Sequence, residues 1–60
     1  MIELAYRMAH GIEVALLWSP DSDTVVVAVN DESTGEAFAV EPPRNRALDA
    51  FYHPFAYAAA

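Results

Sequence analysis

Sixty residues carry nine aspartates and glutamates against three arginines, with no lysine and no cysteine, for a net charge of −6. Disulfides and thiolate metal sites are therefore impossible, and three cations among nine acids cannot build a phosphate-tracking surface for nucleic acid. The length allows a single domain, residues 1–60, and a hydrophobic fraction of 55% is too high for a disordered chain.

Along the chain, Ile2, Leu4, Tyr6 and Met8 alternate with Glu3, Ala5, Arg7 and Ala9, the period of a half-buried strand. The same residues have good helix propensity, Glu3 and Arg7 form an i,i+4 pair, and Gly11 stands where a helix C-cap would. Strand is favoured, because the alternation is complete and His10-Gly11 suits a tight hairpin turn; helix remains the alternative for residues 1–10. Ile12–Trp18 reads as a strand with Ile12, Val14, Leu16 and Trp18 on one face. A turn at residues 19–23 follows, with Pro20 suited to position i+1 of a type I turn. Thr24–Val29 is β-branched except at Ala28 and reads as a strand buried on both faces. Residues 30–35 form the next turn, where Gly35 can supply a positive φ. Glu36–Glu41 is a fourth strand, stopped by Pro42-Pro43, neither of which can donate to a ladder.

Asn45 can cap a helix from Arg46 to about His53. Leu48, Phe51, Tyr52 and Phe55 fall at i, i+3, i+4 and i+7, a stripe that can lie on a sheet. Pro54 disfavours helix at His53 and makes the chain kink or restart there. The expected fold is α+β: an antiparallel meander of three or four strands with one C-terminal helix packed on a face.

Five-residue turns at 19–23 and 31–35 align Leu16 with Val26 and Val40, and Val14 with Ala28 and Phe38. Trp18, Leu16, Phe38, Val40, Leu48 and Phe51 are then expected to share a core. The opposite face would carry Ala15, Leu17, Val25, Val27, Val29, Ala37 and Ala39, interrupted by Glu13 and Glu41. One short helix covers one face only, since a helix is ~10 Å wide. Ala15, Val25, Val27, Val29, Ala37 and Ala39 are accordingly the candidate interface, with Val27 near its centre.

Energetics point the same way. An unfolded chain of this mass exposes ~9,600 Å² and its compact fold keeps ~3,900 Å². Burying the difference gains roughly 85 kcal/mol at ~25 cal/mol/Å² of apolar area, against roughly 90 kcal/mol for ordering the chain. The terms cancel, so association is the expected source of added stability.

Signals for chemistry are sparse. Ser19, Ser22, Thr24, Ser33 and Thr34 sit in or beside turns, where hydrogen bonding to the turn backbone is their ordinary role. Asp21-Ser22-Asp23 has the spacing that opens a calcium loop but lacks its sixth-position glycine and its distal glutamate. His10 reads as a turn residue and His53 as a helix-end residue, so no catalytic residue, metal ligand or cofactor is assigned. Trp18, Phe51, Tyr52 and His53 form the alternative candidate site, an aromatic pocket between sheet and helix for a small ligand.

His10–Trp18 and Ala47–Tyr57 resemble segments of short actinobacterial proteins, a resemblance that implies no activity, ligand or site. Tyr57–Ala60 is similar to the ending of a bacterial degradation tag read by an AAA+ unfoldase, with a docked helix end as the plainer reading. The N-terminal segment has an early acid and no basic stretch, which is unlike a secretory leader. A cytoplasmic location is expected. The functional expectation is a small acidic protein-interaction or regulatory module, not an enzyme, that forms a homodimer and takes a basic protein partner, with neither nucleic acid nor membrane as a target.

Overall fold

The computed structural model describes residues 1–58. Four strands, β1 (Ile2–Ala9), β2 (Ile12–Ser19), β3 (Thr24–Asp31) and β4 (Glu36–Val40), pair antiparallel in chain order. A 3-10 turn at Arg44–Arg46 leads into two short helices, α1 (Ala47–Tyr52) and α2 (Pro54–Ala58). The first segment is therefore a strand, and the protein is an α+β meander. Its helical part restarts at Pro54, as the proline demands.

His10 and Gly11 both have positive φ, 55° and 77°, which is the two-residue turn whose twist matches antiparallel strands. The other two turns are shorter than the sequence suggests. Ser19 pairs with Thr24 and Asp31 with Glu36, so each loop holds four residues. Each ends on a residue in the left-handed region, Asp23 at φ 52° and Gly35 at φ 76°, conformations that Asp tolerates and Gly favours. Asp23 also accepts the Trp18 indole N–H at 3.0 Å and pairs with Arg44 at 2.7 Å.

One residue fewer per loop moves β3 by one position. Leu16 pairs with Val27 and Val27 with Val40, while Val14 pairs with Val29 and Val29 with Phe38. Side chains alternate between faces along a strand, so this step turns Val25, Val27 and Val29 onto the face expected to carry Val26 and Ala28.

That face is the core. Val14, Leu16, Val25, Val27, Val29, Ala50 and Phe51 are all buried, with Ile12, Trp18, Phe38 and Val40 packed against them. The helices meet the sheet through Ala47, Ala50, Phe51 and Pro54, the same i, i+3, i+4, i+7 spacing as the expected stripe but set back by one residue. Leu48 is 62% exposed and so is not a core residue. Small alanines let α1 approach a sheet whose valines already fill the space, and the break at His53 reorients Phe55, whose ring meets Phe38 edge-on at 5.4 Å. Asn45 falls within the 3-10 turn, and α1 has no side-chain cap. The fold exposes 3979 Å², in line with the ~3,900 Å² expected for its mass.

Candidate interaction surface

The other face of the sheet carries no helix. Ladder partners define its rows: Met8, Glu13, Asn30 and Ala37; then Tyr6, Ala15, Ala28 and Ala39; then Glu3, Leu17 and Val26. The three alanines of the middle row leave a floor without side-chain bulk. An open trough of about 490 Å³ lies over Ala15, Ala28 and Ala37, with Tyr6, Glu3, Glu13 and Asn30 around it and no arginine in its lining.

β1 reaches this arrangement through a bulge. Glu3 pairs with Leu17 and Ala5 with Leu16, leaving Leu4 as an extra residue. Without it, the alternation would hold Tyr6 on the face of Ile2. With it, Tyr6 and Met8 turn to the open face and Arg7 turns under α1.

Tyr6 donates its hydroxyl hydrogen to Glu13 Oε1 at 2.6 Å, and Asn30 Nδ2 donates to Glu13 Oε2 at 3.1 Å. Three strands are thus joined by one carboxylate. The two hydrogen bonds hold Glu13 below the usual glutamate range. Tyr6 is pushed above the usual phenol range by the carboxylate it donates to, with burial and neighbouring acids adding to the effect. The arrangement fixes the Tyr6 ring beside the trough and keeps a negative charge there at neutral pH.

The expected interface is divided by the fold. Ala15, Ala37 and Ala39 lie on the open face. Val25, Val27 and Val29 do not: they are 8%, 0% and 3% exposed beneath the helices, and Val27 belongs to the monomer's core. Tyr6, Met8, Leu17, Val26 and Ala28 take their place. The readable signal was the pair of residues able to adopt positive φ, Asp23 and Gly35, each closing a four-residue loop.

The expected aromatic pocket is dispersed as well. Phe51 is a core residue at 4% exposure, and Trp18 lies at the far end of β2, tied to Asp23. Tyr52 and His53 do line a second open cavity of about 380 Å³, with Arg7, His10, Ile12 and Phe55. Among the described residues, no group of three or more His, Cys, Asp or Glu could hold a metal ion, and no helix is long and apolar enough to cross a membrane. Tyr57 closes α2 onto α1 by donating to Asp49 Oδ2 at 2.6 Å. Ala59 and Ala60, the end of the tag-like segment, lie outside the described residues. Comparison with protein-family models, curated proteins and solved structures finds no match.

Proposed function

We propose that this chain is a small protein-interaction module that self-associates through the exposed outer strand of its sheet, β1. One observation carries the reading: Met1, Ile2, Leu4, Tyr6 and Met8 are large apolar side chains between 48% and 68% exposed, all gathered on or just before one outer strand. Scattered apolar exposure is ordinary, but five large apolar side chains concentrated along one sheet edge mark that edge as an interaction site. Burial of that surface also supplies what the near-zero folding balance lacks. Light scattering at tens of micromolar should return a dimer mass, and the melting temperature should rise with concentration. A monomer mass with a concentration-independent melt overturns the reading.

The trough supports a second partner. Its alanine floor admits a closely laid segment, and Glu3 and Glu13 at its side favour a basic one. Binding of an arginine-bearing amphipathic peptide should weaken as salt is raised, and Glu13→Gln should reduce it. Salt-independent binding, or none, removes the basic partner.

A further inference from the structure

We infer that two copies pair β1 with β1, antiparallel across a two-fold axis, to make one continuous eight-stranded sheet. The inference rests on the self-association proposed above and names its seam.

The sheet's two edges are unlike. β4 has five residues, ends at Val40 just before Glu41-Pro42-Pro43, and has α2 seated on it through Phe38 and Phe55. β1 has eight residues, with neither proline nor lysine to blunt its outer edge. Its one cation is turned inward, where Arg7 is occupied with the carbonyls of Phe51 and Tyr52. From Ala5 to Ala9 the ladder with β2 runs without interruption.

Backbone geometry then says which groups are free. The two-residue turn makes Ala9 and Ile12 a hydrogen-bonded pair, and antiparallel pairs alternate. Arg7 and Ala5 therefore bond toward β2, while the N–H and C=O of Tyr6 and Met8 point outward from the sheet. An antiparallel copy of the same strand offers the complementary groups, which is the self-complementarity a two-fold contact requires.

Side chains select the register. With the axis at Tyr6, the two Tyr6 rings are neighbours on the open face, Met8 lies opposite Leu4 of the second copy, and Arg7 lies opposite Ala5. Exposed apolar groups meet apolar groups, and no like charges face each other. Moving the axis to Arg7 would set two guanidinium groups directly opposite, a destabilising pair. Pairing at this seam leaves the alanine trough of each copy open, so the two run side by side across the axis.

Amide hydrogen exchange on the full chain tests the seam. Tyr6 and Met8 amides should be protected at concentrations that give a dimer and exchange freely on dilution to monomer. Tyr6→Lys, which sets two ammonium groups at the axis, should give a monomer with an unchanged far-ultraviolet spectrum. Ala28→Glu, which would break a face-to-face dimer, should leave the dimer mass intact. A dimer whose Tyr6 and Met8 amides exchange freely, or one split by Ala28→Glu and not by Tyr6→Lys, overturns the seam and leaves self-association standing. Should Tyr6→Lys unfold, the exchange of the unaltered chain decides. A monomer mass for the unaltered chain overturns both.

Discussion

Arg7 donates to the carbonyl oxygen of Phe51 from both Nε, at 3.1 Å, and Nη2, at 2.8 Å. The two residues are 44 positions apart, and the contact ties the outer strand to the end of α1. Terminal carbonyls of a helix have no partner within it, and a cation there also meets the negative end of its dipole. The guanidinium further lies 5.4 Å from the Phe51 ring centre and 5.8 Å from that of Tyr52. Arg7→Ala should therefore lower stability by about 1–3 kcal/mol in urea denaturation. Arg7→Lys should recover only part of this, because an ammonium lacks the planar fork. Equal stability of all three chains would show the contact to be energetically idle.

Phe51 and Leu48 offer a paired comparison on one helix. Phe51→Ala empties a buried site and should cost about 3–5 kcal/mol, enough to unfold so small a domain. Leu48→Ala alters an exposed side chain and should stay within ~0.5 kcal/mol. Thermal melts followed by circular dichroism separate the two.

Val27 and Ala28 are adjacent in β3 and face opposite ways. Val27→Glu places a charge at a fully buried position and should abolish the cooperative melt. Ala28→Glu points into the open trough and should leave the chain folded. The reverse order would mean that β3 takes the register the longer loops imply.

Acid should act on two carboxylates. Glu13 is held below its ordinary range by Tyr6 and Asn30, and Asp31 below its own by the Ser33 hydroxyl, which donates at 2.6 Å. A folded-state pKa below the unfolded one adds stability that is complete above the unfolded value and lost as pH falls through the folded one. The melting temperature should thus begin to fall below about pH 4, the unfolded range of these groups. Glu13→Gln and Tyr6→Phe should each flatten part of that fall. An unchanged profile in both would show that the Glu13 contacts do not couple to folding.

By itself the sequence determined most of the elements. Alternation in Ile12–Trp18, β-branching in Thr24–Val29, the prolines at 42, 43 and 54, and the glycines at 11 and 35 place three strands and a restarted helix correctly, while residues 1–10 stayed open between strand and helix until the sheet paired them as β1. These are local signals, each set by the backbone preferences of a few consecutive residues. Which side of the sheet each residue takes was decided only in three dimensions. Three single-residue steps settle it: the αL turn at Asp23, the one at Gly35, and the Leu4 bulge. Each is nearly invisible in composition, yet a strand reverses the face of every later side chain when it shifts by one. Hence Val27 went to the core and Ala28 to the open face, and Tyr6 and Arg7 exchanged sides. The helix stripe was decided in the same way: the valine-rich face takes Ala47, Ala50 and Phe51, and Leu48 is left exposed. Steric fit between elements chose among stripes that periodicity alone leaves equivalent.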